Sequence, residues 1–178
     1  MRLFIGIPLP EGTKREVNQV IHQLQKLSLP IKWELEEKWH VTLKFLGEAD
    51  REKVSSITKE IQPFFLKPEK VGYFYKRHLV VWVSVTGQVE VLNKLHKKLE
   101  ESLASIGFLK EEREFKGHIT VGRGKKLSSQ QLRDLQEAIF NLKSPKFSEF
   151  KVKQINLYQS ILKPEGSKYS IISEFKFS

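Results

Sequence analysis

The stretch Trp39-His40-Val41-Thr42-Leu43-Lys44-Phe45-Leu46-Gly47 alternates polar and apolar side chains, and its core returns later as His118-Ile119-Thr120-Val121, followed by Gly122-Arg123. In a β-strand, alternate side chains share a face. His40 and Thr42 therefore point one way, and Val41 and Leu43 the other. The same holds for His118 and Thr120 against Ile119 and Val121. The two histidines are 118 − 40 = 78 residues apart, one in each half of the chain. Taken singly, each motif fits an ordinary half-buried strand histidine bonded to its neighbouring threonine. Repetition with matching apolar partners is hard to ascribe to chance, and it separates the pair from that bland reading.

The remaining sequence reads as scaffolding for these two strands. Residues Arg2 to Leu9 have the apolar run of a buried strand. Val17, Val20, Ile21, Leu24 and Leu27 fall on one helical face, which predicts a helix over Glu11 to Leu27. Ile31 to Leu35 alternates like a strand. Asp50 can cap a second helix running to about Ile61, before Pro63. Phe64 to Tyr75 reads as a strand or hairpin arm, and Leu79 to Val85 is the most β-prone run in the chain. A helix over about Gln88 to Ile106 carries Leu92, Leu95, Leu99 and Ile106 inward, with Gly107 at its end. Ser128 or Ser129 can cap a last helix to about Leu142, ahead of Pro145. Two alternating runs, Val152 to Ile161 and Lys168 to Phe177, flank Lys163-Pro164-Glu165-Gly166, a hairpin signal. Each half thus holds strands, a helix and one His-x-Thr strand. The order predicts an α+β fold in which two antiparallel-rich sheets with flanking helices are related by a pseudo-twofold. No linker or low-complexity stretch divides residues 1–178, which are read as a single domain.

Composition narrows the function. The chain has 31 Lys and Arg against 21 Asp and Glu, a net charge of +10. That favours an anionic partner, nucleic acid foremost. There is no Cys, so disulfides and thiolate zinc sites are excluded and a reducing, cytoplasmic setting fits. The apolar start Met1 to Pro8 is short and runs into Pro10, Glu11 and Lys14, which argues against a signal peptide or membrane span. His22, His78 and His96 read as surface residues, with contact between His78 and a polyanion as an alternative.

Two imidazoles facing each other across a cleft suit phosphoryl chemistry. Histidine serves as base or acid near neutral pH, because its unperturbed pKa is about 6.5. One neutral histidine can take a proton from water attacking phosphorus, while one protonated histidine hands a proton to the departing oxygen. In-line displacement needs these groups on opposite sides, as two strands from two halves provide. Thr42 and Thr120 can donate to the non-bridging oxygens, and Arg123 can neutralise charge that develops there. A surface ion pair is the alternative role for Arg123. No His-x-x-x-His or repeated Asp pair stands near either motif, so no metal is expected. Nor is there a Gly-x-Ser-x-Gly elbow for serine hydrolysis. The residues alone do not say which histidine is the acid.

Paired His-x-Thr strands occur here with Arg2-Leu3-Phe4-Ile5, Leu43-Lys44-Phe45-Leu46-Gly47, Phe115-Lys116 and Leu157-Tyr158-Gln159-Ser160. In this the chain resembles the 2H phosphoesterase superfamily, and within it the RNA 2′,3′-cyclic phosphodiesterases, also called 2′-5′ RNA ligases. The likeness spans nearly the whole chain. Gly117 stands where the family pattern has Pro, and Gly122 where it usually has Ala. The resemblance implies a bilobed fold with the site between the lobes. It implies metal-free hydrolysis of RNA 2′,3′-cyclic phosphate ends to 2′-phosphates, with no cofactor, and the reverse 2′-5′ ligation. It assigns His40 as proton donor to the leaving 3′ oxygen and His118 as acceptor from water. Thr42, Thr120, Arg123, Phe45 and Tyr158 are the expected substrate-binding residues. RNA with a cyclic phosphate end is the expected partner, no membrane is involved, and a monomer is expected. Another 2H activity, on small cyclic nucleotides or 2′-5′ oligonucleotides, is one alternative. A non-catalytic RNA-binding module with Phe45, Tyr73, Tyr75 or Trp82 as stacking platforms is another.

Overall fold

The computed structural model describes residues 2–48, 61–142, 146–164 and 166–177. The helix expected over Asp50 to Ile61 and the break at Pro145 lie outside the described residues. Among the described residues, nine strands and three α-helices follow in the order β1 (Arg2–Pro8), α1 (Glu11–Gln25), β2 (Ile31–Trp33), β3 (His40–Glu48), β4 (Phe64–Tyr75), β5 (Leu79–Gly87), α2 (Val89–Ser105), β6 (His118–Gly124), α3 (Ser129–Phe140), β7 (Phe150–Val152), β8 (Gln154–Lys163) and β9 (Gly166–Lys176). A 3₁₀ turn, Glu36–Lys38, leads into β3.

The strands form one sheet in the order β7-β4-β5-β6-β3-β1-β8-β9, with β2 laid alongside β6. Two antiparallel arrays, as the sequence predicts, are joined through β3 and β6, where the register records the single pair Val41↔Ile119. One array carries His40 on β3, the other His118 on β6. Val41 and Ile119 are both fully buried. Their apolar side chains dive into the core at the seam, which turns the neighbouring histidines and threonines to the other face.

The helices are built by their apolar stripes. α1 buries Val17, Val20, Ile21 and Leu24, and α2 buries Leu92, Leu95, Leu99 and Leu103. These pack with Leu43, Val81, Val83, Ile119 and Val121 in one hydrophobic cluster. α3 starts on a capping box: the Gln131 N–H donates to Ser128 Oγ at 3.2 Å, and the Ser128 N–H donates to Gln131 Oε1 at 2.9 Å. Of the two serines that could cap this helix, Ser128 does so because its spacing to Gln131 closes both bonds.

β5 shows the alternation its sequence promises. Leu79, Val81 and Val83 are fully buried, while Val80, Trp82 and Ser84 lie on the opposite, partly open face. β8 folds back on β9 as the expected hairpin, with Lys163 paired to Gly166 and a left-handed φ of 133° at Gly166. Among the described residues no helix is long and apolar enough to cross a membrane.

Candidate active site

Both histidines are fixed the same way. His40 Nδ1 lies 2.6 Å from the Lys38 carbonyl oxygen, and His118 Nδ1 lies 2.7 Å from the Lys116 carbonyl oxygen. A carbonyl only accepts, so each Nδ1 carries the proton and donates it. Each Nε2 is thereby the acceptor nitrogen of the neutral ring. His40 Nε2 lies 2.9 Å from Thr42 Oγ1, so with a neutral imidazole the threonine hydroxyl donates to it. Extending the Val41↔Ile119 register sets His40 level with Thr120, and Thr42 level with His118. The four motif residues thus form a diagonal square across the seam.

Strict alternation would turn Arg123 away from His118 and Thr120. The structure prevents this with a one-residue register shift. Val81 pairs with Gly122 but Trp82 pairs with Thr120, so Val121 is passed over and Arg123 joins the face of the motif. The same shift occurs after the first motif. Ile5 pairs with Lys44 and Gly6 with Thr42, so Leu43 is passed over. Phe45 then joins His40 and Thr42, and Lys44 turns to the helix side. Phe45 and Arg123 each stand five residues beyond their histidine and are both exposed. The halves therefore correspond in detail, but one offers an aromatic ring where the other offers a cation.

Lys44 is 3% exposed. Its Nζ lies 2.7 Å from Glu100 Oε1 on α2 and donates to the Leu109 carbonyl at 2.8 Å. Glu100 Oε2 accepts from the Glu111 N–H at 3.0 Å. Burial alone would raise the Glu100 pKa, but the Lys44 ammonium and the Glu111 N–H hold it below the ordinary carboxylate value. This cluster ties β3 to the loop that leads into His118. His96 belongs to it too. The sequence suggests a solvated helix face, yet the imidazole stacks on Phe115 with centroids 4.0 Å apart and lies 3.7 Å from Glu100 Oε1. The lysines around it disguise a position turned toward the loop.

Aromatic rings surround each histidine. His40 stacks on Phe4 at 4.7 Å, Phe4 stacks on Tyr158 at 4.9 Å, and Tyr169 stands edge-on to His40 at 5.6 Å. Tyr158 is only 9% exposed and lies beneath Phe4, so it braces the stack, whereas Phe45 is 61% exposed. Gly6 leaves room for the imidazole: a Cβ there would sit 3.0 Å from His40 Cδ2. On the other side, Phe74 and Trp82 approach His118 edge-on, at 5.6 Å and 6.4 Å. A Cβ at Gly72 would lie 2.3 Å from the Trp82 ring, so only glycine admits that indole. Phe4 lies in the Arg2-Leu3-Phe4-Ile5 stretch that carries the resemblance, but neither its local pattern nor that of Tyr169 marks the cleft face.

Burial acts strongly on His40. Desolvation, with the nearby Arg123 and His118, pushes His40 down to about 4, against the upward pull of the Lys38 carbonyl. Arg123 Nε lies 3.6 Å from Glu34 Oε1. The arginine thus makes a half-open ion pair, the alternative role considered for it. Among the described residues no three His, Cys, Asp or Glu side chains gather to hold a metal ion.

The description "2′-5′ RNA ligase superfamily" belongs to a family model that matches residues 18–162. The RNA 2′,3′-cyclic phosphodiesterase of Methanocaldococcus jannaschii is 35% identical over 178 residues, covering 98% of this chain and 100% of the relative. The protein of that name from Thermotoga maritima is 32% identical, with 99% and 96% covered. Crystal structures agree on the fold. TT0787 of Thermus thermophilus superposes with a TM-score of 0.78 at 22% identity, covering 99% of this chain and 98% of that one. E. coli LigT complexed with 3′-AMP superposes at 0.75 with 24% identity and the same coverage. A family match over most of the length, joined by full-length relatives above 30% identity, places this chain in the 2′-5′ RNA ligase superfamily.

Proposed function

We propose that this protein hydrolyses RNA 2′,3′-cyclic phosphate ends to 2′-phosphomonoesters through acid–base catalysis by His40 and His118. The observation that carries this is the matched pair of imidazoles on paired strands, each with Nδ1 pinned to a backbone carbonyl so that Nε2 is the nitrogen left for proton transfer. The relatives named RNA 2′,3′-cyclic phosphodiesterase supply the substrate class.

In this scheme the cyclic phosphate sits over the seam between β3 and β6. Water attacks phosphorus on the side of the base, which takes its proton. The 3′ oxygen departs on the opposite side and receives a proton from the acid, so the P–O3′ bond breaks as the new P–O bond forms. Thr42, Thr120 and Arg123 donate to the non-bridging oxygens as charge builds there. Thr42 turns from His40 Nε2 to the phosphate, which frees that nitrogen for proton transfer. Phe45 offers a face for the terminal base, and Tyr158 backs Phe4 beneath it.

Family resemblance makes His40 the acid. A pKa near 4 leaves His40 neutral at pH 7, which suits a base. The two reconcile when the phosphate anion enters, since a negative charge at hydrogen-bond distance favours the imidazolium and opposes desolvation. The reversed assignment, with His40 as base, is the second reading and rests on that same depressed pKa.

The test is incubation of the protein with an oligoribonucleotide bearing a 2′,3′-cyclic phosphate, with and without chelator. Product is identified by mass and by sensitivity to phosphatase. A 2′-phosphate product insensitive to chelator is expected. His40→Ala and His118→Ala should each lower turnover on the order of 10²-fold or more, the usual scale for acid–base groups. Near-normal turnover in either folded variant would exclude the two-histidine scheme.

A further inference from the structure

Beyond the reacting phosphate, the cleft face carries a second, basic cavity. Its volume is about 520 Å³, within the range of about 300–1,000 Å³ typical of ligand sites. Lys32, His78, Arg123 and Lys125 line it, over a floor that includes Leu79 and Val80. Among the described residues that line it, none is acidic.

Strand register explains why Lys32 and Arg123 converge. Lys32 of β2 pairs with Arg123 of β6, and Arg123 pairs with Val80 of β5. Directly paired residues project to the same face. Lys32, Arg123 and Val80 therefore form one row across three strands, on the face that bears His118 and Thr120. Two basic segments border this end: Lys76-Arg77-His78 between β4 and β5, and Lys125-Lys126 after β6. All five of these side chains are exposed. The carboxylate that reaches Arg123 is Glu34, at 3.6 Å.

We propose that this groove binds the phosphodiester backbone of single-stranded RNA on the 5′ side of the cyclic end, so that the protein prefers oligonucleotides to cyclic mononucleotides. This rests on the hydrolysis proposed above for its placement, because Arg123 is shared by the two sites. A mononucleotide fills only the seam between the histidines. An oligonucleotide must continue past it, and the register makes the Arg123 row a cationic continuation of the same face. A basic groove that tracks a backbone is the general device for holding single strands without reading sequence.

The test measures binding apart from turnover. A fluorescent oligoribonucleotide ending in a 3′-phosphate is titrated by anisotropy at several salt concentrations with wild type, Lys125→Ala and Lys125→Glu. Lys97→Glu, a reversal at an exposed position on α2, is the control for net charge. Lys125→Glu should weaken binding roughly tenfold, the scale of removing one charge-assisted hydrogen bond. The slope of log K on log salt should become shallower by about 0.7 for each phosphate no longer neutralised. In parallel, kcat/KM is measured on a nucleoside 2′,3′-cyclic phosphate and on an oligonucleotide with the same end. The loss should fall on the oligonucleotide alone. Unchanged RNA affinity in Lys125→Glu would overturn the proposal. So would an equal loss with Lys97→Glu, which would mean diffuse attraction, or an equal loss on the mononucleotide. Should wild type hydrolyse neither substrate while binding still depends on Lys125, the activity fails and the groove stands.

Discussion

A single imidazole carries the sharpest consequence. In the fold His40 is pushed down to about 4 from an ordinary value of 6.5, so the native state favours its neutral form. That contribution to stability is fully present above pH 6.5 and is lost as pH falls from 6.5 through about 4. Urea midpoints should therefore drop less between pH 7 and pH 4.5 in His40→Gln than in wild type. If His40 is the catalytic acid, it must charge when substrate arrives. Calorimetry of a nucleoside 2′,3′-cyclic phosphate binding to His118→Ala, in buffers of different ionisation enthalpy at pH 7, should then show uptake of about one proton, since the phosphodiester itself does not titrate there. No uptake would make His40 the base. If Arg123 stabilises the phosphoryl transition state as proposed, its fork counts as well as its charge. Arg123→Lys should remain impaired, and Arg123→Ala should cost on the order of 10² in kcat/KM, the scale of one removed transition-state donor. Normal turnover in Arg123→Ala would reduce the residue to its ion pair with Glu34.

At the scale of elements, the register shift after Thr42 sends Lys44 into the helix layer, where Glu100 meets it. Removing one partner of such a pair leaves an uncompensated buried charge, at a cost of about 3–5 kcal/mol. Lys44→Ala should destabilise by that order in denaturant titration. The double change Lys44→Met with Glu100→Leu should recover most of the loss, because apolar replacement of both partners removes the desolvation penalty. No recovery would mean that the bonds to Leu109 and Glu111 hold the loop, rather than the charge pair. The histidine strand and the helix were legible in the sequence, from alternation and the leucine stripe. The pair between them was not, because strict alternation puts Lys44 beside Thr42 on the cleft face.

Across the whole molecule, the proposed mechanism requires two arrays meeting at the Val41↔Ile119 seam. If His40 and His118 are the acid–base pair, one on each array, the pH profile of kcat/KM should be a bell whose limbs belong to the pair. Residual activity in His118→Ala should lose its fall at low pH if His118 is the base. Residual activity in His40→Ala should lose its fall at high pH if His40 is the acid. The opposite pattern would reverse the roles.

What the sequence determined by itself is the pair of His-x-Thr strands, their outward polar face, the helices and strands that carry them, and the basic balance. Each of these follows from short-range periodicity or from a count, which a chain displays before it folds. His40, Thr42, His118 and Thr120 were legible for that reason. The tertiary structure decided which residues join them. Two one-residue register shifts bring Phe45 and Arg123 onto the cleft face and turn Lys44 off it, and such a shift exists only in how one strand pairs with its neighbour. Phe4, Tyr169, Phe74 and Trp82 reach the histidines from strands far away in sequence. The depressed His40 pKa likewise arises from burial and from the charges of Arg123 and His118, which come within range only when the sheet brings β3 beside β6.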